Sequence, residues 1–249
     1  MEAENAWQSA AGFVDTGDEK KWKVRWKQVE MLDVRDLYLM NFGRIRSIQS
    51  EIECETALDI AKGRFLIGMH WGPSISILKL LQLAGLSPAI PFRQPEKKIA
   101  RIRPFYYLFV SMAARYIVKT MDVPDAAAGA GKVLRSMMGQ AGTAIVVMDA
   151  PPTEGRSTLN ATVLGKNAIF DAGFPDILVD KKKEYVLYAM SLQAGDSLCK
   201  KLELHGPYNA PDAQEFLQNY ADFLDRHLAS DSAQWRVWHA APQFWRCGT

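Results

Sequence analysis

Three polar residues in this sequence each stand directly after a short apolar run. His70 follows Phe65-Leu66-Ile67-Gly68-Met69, Arg93 follows Ala89-Ile90-Pro91-Phe92, and Asp149 follows Thr143-Ala144-Ile145-Val146-Val147-Met148. Histidine is the side chain best suited to take up and return a proton near neutral pH. A carboxylate can orient its ring, and a guanidinium forks onto phosphate oxygens. One histidine at a strand end reads as an ordinary hydrogen-bonding group. Three polar residues at successive strand ends read as a site, because ligands of α/β sheets collect where the loops after the strands converge.

Those positions need a sheet to carry them. The apolar run to Met69 predicts a buried strand, and Gly72-Pro73-Ser74 then opens a largely apolar helix through Leu86. Ala89 to Phe92 reads as a brief edge strand, followed by a helix from about Glu96 and a short strand over Arg115-Tyr116-Ile117-Val118. Asp125 can cap a helix to Gly139, ahead of the strand that ends at Asp149. Ala150 to Ser157, with Pro151 and Pro152, can only be a loop. Ala161 to Leu164 and Ala168 to Phe170, joined by Gly165-Lys166-Asn167, predict a hairpin. A helix over Phe174 to Val179 and strands over Tyr185 to Leu192 and Lys201 to His205 come next. Pro211 to Leu228 is a helix with Phe216, Leu217, Tyr220, Phe223, Leu224 and Leu228 on one face. The expected fold class is α/β, a mixed central sheet flanked by helices. Residues 1 to 60 are expected as a helical N-terminal arm and 61 to 249 as the α/β domain.

Composition narrows the function. The 249 residues are 48% hydrophobic and 23% charged, with a formal net charge of +2 that offers no field for nucleic acid. Cys54, Cys199 and Cys247 are odd in number and far apart, and His70, His205, His227 and His239 lack ligand spacing, so neither a disulfide framework nor a metal site is expected. A cytoplasmic protein without cofactor is the expectation, since neither a signal-peptide pattern nor a long apolar run occurs. Lys20-Lys21-Trp22-Lys23-Val24-Arg25-Trp26-Lys27 places Trp22 and Trp26 on one helix face among cations. The pair suits either a peripheral contact with an anionic membrane or docking onto the core.

At the three strand ends the sequence resembles a family. Gly68-Met69-His70-Trp71-Gly72-Pro73 is similar to the "HFGNWE" block of the lipid A (lauroyl/myristoyl) acyltransferases, a branch of the lysophospholipid acyltransferase superfamily. Pro91-Phe92-Arg93-Gln94-Pro95 is similar to their "YRP" block, Asp149 through Gly165 to "DQ…FFG", and Gln234-Trp235-Arg236-Val237-Trp238-His239 to the closing "QW…WH" segment. The blocks occur in family order from about Phe65 to Phe244. The resemblance implies acyl transfer from an acyl carrier protein or coenzyme A thioester to a hydroxyl or amine, with His70 as general base. An acceptor in lipid or natural-product biosynthesis fits this.

One departure bears on mechanism. The family carries His-x4-Asp/Glu, and here Ile75 stands where the acid belongs. Either another carboxylate replaces it, or the chain is a non-catalytic relative that binds an acyl chain, a carrier protein or a partner subunit. Asp149 and Glu154 are the candidate replacements, with Asp149 favoured because a strand end holds a side chain more rigidly than a Pro-rich loop. Asp149 could instead brace its own loop by accepting backbone N–H bonds. Arg93 would hold the donor's phosphate or pair with a nearby acid. Pro152 to Ser157, with Glu154 and Arg156, partly resembles the "PEGTRS" block of glycerolipid acyltransferases, but also reads as a surface turn. Trp71, with Met69, Phe92, Met137 and Met138, is a candidate wall of the acyl pocket; Trp235, Trp238 and His239 read as packing.

Overall fold

Apolar residues that alternate along buried strands build a two-faced sheet. In the computed structural model, which describes residues 2–90, 111–113, 143–195 and 198–245, the central strand β2 (Phe65–Gly68) is buried along its whole length. It pairs in parallel with β4 (Thr143–Val147) on one side and with β7 (Tyr185–Leu192) on the other. The sheet is completed by β8 (Lys200–Tyr208), antiparallel to β7, by β1 (Ile52–Cys54), parallel to β8, and by β3 (Pro88–Ala89) at the other edge. The order is β1-β8-β7-β2-β4-β3, a mixed sheet with helices on both faces, as expected of an α/β protein.

Period-two alternation divides the core. Phe65 and Ile67 of the central strand, with Met69 just after it, lie in one cluster together with Ala144, Val146, Tyr185 and Leu187. Leu66, Ile145, Val186, Tyr188 and Met190 point into the other. The first cluster is covered by α6 (Ala213–Asp231), whose six expected inward residues are all buried. A two-stranded hairpin, β5 (Thr158–Val163) and β6 (Lys166–Asp171), and the helix α5 (Gly173–Asp180) lie on the same side. The second is covered by α4 (Ile77–Leu83) and the short helix α3 (Ile45–Gln49). The expected helix from Gly72 to Leu86 is shorter. Gly72 takes a positive φ of 54°, and Ser74–Ser76 form a 3-10 turn before α4 begins.

The long helix α2 (Glu19–Asn41) follows α1 (Glu2–Ala11) and joins both clusters. Its Trp22 and Trp26 lie in the first, its Leu37 and Met40 in the second, and Val29 and Leu32 between them pack on Leu192 at the end of β7. The segment expected as an arm therefore also contributes β1 to the sheet. The helix from Glu96, the strand over 115–118, the helix from Asp125, and Phe92, Arg93, Met137 and Met138 lie outside the described residues.

Candidate functional site

The register of two parallel strands creates the pairing. Phe65 lies beside Ala144 and Gly68 beside Val147, and the ladder continues with Met148 N–H donating to the Gly68 carbonyl at 3.0 Å. The same offset sets His70 opposite Asp149. The His70 ring nitrogen Nδ1 lies 2.8 Å from Asp149 Oδ1, and the His70 backbone N–H donates to Asp149 Oδ2 at 2.7 Å. A third donor, Trp235 Nε1–H, reaches Oδ2 at 2.7 Å. Asp149 thus holds the ring, and the backbone it braces is that of His70 at the neighbouring strand end rather than its own loop.

Burial and partners act on Asp149 in opposite directions. Full burial by itself would raise its pKa, but the charge of a protonated His70 ring and the hydrogen bonds from His70 and Trp235 outweigh burial and hold it below its ordinary value. Asp149 is therefore an anion at neutral pH. In the neutral ring an anionic Oδ1 accepts Nδ1–H, which leaves Nε2 as the ring atom with a free lone pair. The His70 side chain keeps 39% of its surface exposed while Asp149 keeps none. A buried acid behind a reachable imidazole is the arrangement of a general base. The nearby phenols of Tyr188 and Tyr220 are buried, and burial, then the Asp149 charge, pushes both pKa values up, so they stay neutral.

The loop between β2 and α4 is held tightly. Gly72 approaches the Met190 carbonyl so closely that a Cβ there would lie 1.8 Å from the oxygen. Gly72 N–H donates to the Gln234 carbonyl at 2.9 Å, and Arg236 N–H donates to the His70 carbonyl at 2.9 Å. A carboxylate from α2 completes the clamp. Asp33, buried, accepts the Ile75 N–H at 3.0 Å through Oδ1 and pairs with the Arg236 guanidinium through Oδ2. Burial raises the Asp33 pKa, opposed first by Arg236 and then by the Ile75 N–H. At the position where the resemblance would put an acid side chain, the backbone of Ile75 meets this acid from another element.

The remaining sequence-based candidates separate from this pair. Trp71 lies in the core: its indole is buried, donates to Ser191 Oγ at 3.0 Å and packs edge-on to His227 with centroids 5.2 Å apart. Gly165 forms the hairpin turn with Leu164, at φ values of 67° and 54°, and Leu164 N–H is tied to Asp225 of α6 at 2.9 Å. Glu154 and Arg156 are exposed in a turn that rests on Asp171. Thr153 N–H donates to Asp171 Oδ1 at 3.0 Å, and Arg156 lies 4.0 Å from Oδ2. Of the two readings of Trp22 and Trp26, docking onto the core is the one observed: both rings are buried, and Trp22 Nε1–H donates to Ser232 Oγ at 2.9 Å. They offer no surface to a membrane.

Asp33, Trp235 and Arg236 were not among the expected site residues. Among the described residues no group of three or more His, Cys, Asp or Glu could hold a metal ion, and no helix is long and apolar enough to cross a membrane. No family model matches the chain, and no curated protein matches it.

Proposed function

We propose that this chain is a divergent relative of the lipid A acyltransferases and transfers an acyl group from a carrier-protein or coenzyme A thioester to a hydroxyl or amine. The observation that carries the reading is the 2.8 Å contact between His70 Nδ1 and the buried Asp149. It supplies from β4 the carboxylate that Ile75 cannot, and the α/β sheet with a histidine just past a central strand is compatible with an acyltransferase-like fold. In this mechanism Nε2 accepts the proton of the acceptor O–H or N–H as that atom attacks the thioester carbonyl. Asp149 offsets the imidazolium charge, and the tetrahedral intermediate collapses with release of the thiolate, which recovers the proton from Nε2. Arg93 is proposed to hold a donor phosphate, on chemistry alone.

Free thiol release from acyl-coenzyme A and acyl-carrier-protein substrates, measured with a thiol-reactive dye, tests this. Wild type should release thiol in an acceptor-dependent manner and His70→Ala should not. Tight binding of the acyl thioester without thiol release in any acceptor mixture would favour the binding-protein reading instead.

A further inference from the structure

The alternation that divides the core also decides what lies beneath the His70 ring. Leu66 and Ile145 lie in the cluster on the α4 side, so Gly68 and His70, at two-residue steps beyond Leu66, and Asp149 beyond Ile145 fall on that side too. Tyr188 of β7 belongs to the same cluster. Its ring leans over Gly68, where a Cβ would lie 2.4 Å from two ring carbons and 2.9 Å from the phenol oxygen, and only a glycine leaves room for it. Burial acts first on this phenol, then the charges of Asp149, Arg236 and Asp33, and no hydrogen bond from another described residue does. Tyr188 therefore stands, as a neutral donor, among the groups that surround His70.

Arg236 flanks the same place. Its backbone N–H donates to the His70 carbonyl at 2.9 Å, its Nη1 pairs with Asp33, and its Nε is buried with no hydrogen-bond partner. A buried guanidinium N–H without an acceptor is costly and asks for a reason. Donors left open beside a general base are what an anion forming there requires.

We propose that Tyr188 Oη–H and Arg236 Nε–H are the oxyanion donors of this site, an assignment that rests on the acyl-transfer reading of His70 and Asp149. As the acceptor atom bonds to the thioester carbon, its proton passes to His70 Nε2 and the C=O electron pair moves onto the oxygen facing the two donors. On collapse that pair re-forms C=O, the C–S bond breaks, and the thiolate takes the proton from Nε2. Neither donor gives up its own proton. The carboxylates nearby do not compete for them, since Asp149 accepts from His70 and Trp235, and Asp33 from Ile75 N–H and Arg236 Nη1. Tyr188 is 3% exposed and the Arg236 side chain 20%, so the donors are shielded from water, where such bonds are strongest.

Both donors of acyl groups share a phosphopantetheine arm, so two phosphopantetheine analogues test the assignment by calorimetry alongside thiol-release kinetics. One carries a trifluoromethyl ketone, whose hydrate presents a tetrahedral oxyanion, and the other is the thioether with a methylene in place of the carbonyl. Wild type should bind the ketone at least about a hundredfold more tightly than the thioether. Tyr188→Phe should lose most of that preference and about 10²–10³ in kcat, with KM little changed. Arg236→Lys keeps a charge against Asp33 but has no Nε–H, and should lose preference and kcat in the same direction. Tyr220→Phe deletes a buried, unpartnered hydroxyl from the cluster on the opposite face and should change neither. Phenylalanine fills the same space at 188, and an unchanged circular dichroism melt verifies the fold. Wild type that does not prefer the ketone, or Tyr188→Phe with the full preference, overturns the proposal. So does an effect of Arg236→Lys confined to the KM of the acceptor, which would mark a contact with the acceptor instead. A wild type that prefers the ketone through Tyr188 yet releases no thiol upholds the donors and refutes acyl transfer.

Discussion

Replacing Asp149 by asparagine removes one charge and almost no volume, and the hydrogen-bond pattern around the carboxylate dictates which way the new amide must turn. Oδ2 accepts two fixed donors, the His70 backbone N–H and Trp235 Nε1–H, both at 2.7 Å, while Oδ1 faces only the imidazole. Asparagine has one oxygen for these two places. Satisfying two donors outweighs satisfying one, so the amide oxygen takes the Oδ2 position and the NH2 group faces His70 Nδ1. The ring then presents a lone pair at Nδ1 and carries its proton on Nε2, where the acceptor's proton would have to go. Turnover should fall by about 10³ to 10⁴, equivalent to about 4–5.4 kcal/mol of barrier. Because Asp149 is buried behind the ring, KM should change little. Losing charge-assisted bonds should cost about 1–3 kcal/mol of stability and leave the chain folded. Thiol-release kinetics with nitrogen NMR of the His70 ring measure both halves: a fully active Asp149→Asn, or one with the wild-type tautomer, refutes the reasoning.

Trp235→Phe keeps the ring packing but removes the Nε1–H donated to Asp149, and should lower thiol release and cost about 1–2 kcal/mol in urea unfolding. Gly72→Ala forces a Cβ to 1.8 Å from the Met190 carbonyl and should destabilise by more than about 3 kcal/mol or prevent soluble expression, whereas Gly165→Ala, in open space at φ 67°, should cost about 1 kcal/mol. For Asp33 the sign is the reverse of the usual carboxylate. The unfolded chain ionises it near its ordinary value of 3.8, the buried native group holds its proton to higher pH, and stability attributable to it is lost as pH rises from about 4 through the native pKa. Urea midpoints measured across that window should fall less steeply in Asp33→Asn than in wild type.

The strands that carry the pair were legible because each is an apolar run broken by a single polar residue. Residues 65–69 and 143–148 could hardly be anything but buried strands, and Tyr185–Leu192 coincides with its expected bounds. The offset that sets His70 opposite Asp149 was not legible, because either strand could have slipped by a residue without changing its own pattern. Asp33 was invisible for a different reason. Carboxylates on a helix read as solvated in a sequence, yet Asp33 and Asp36 are buried because Arg236 and Lys200 arrive from distant strands and turns to pair with them. β1 is three residues, Ile52–Cys54, at a sheet edge, too short to show alternation. For Trp22 and Trp26 the spacing was right about a shared face, and only tertiary packing decides that the face looks inward.

Lys200 ties the beginning of the chain to its end. Its ammonium is wholly enclosed, 2.6 Å from Asp36 on α2 and 3.4 Å from Glu51 just before β1, and its backbone N–H donates to the Glu51 carbonyl at 2.7 Å. Both countercharges come from the first 60 residues, so a cut at that point would strand a dehydrated cation in the remaining body. An uncompensated buried charge costs about 3–5 kcal/mol, a large part of the total stability of an ordinary domain. Residues 61–249 thus depend on the first 60 for these countercharges. Proteolysis or truncation near residue 60 should produce aggregation rather than a trimmed, folded protein, and an excised 1–60 peptide added back in trans is the means by which solubility would return.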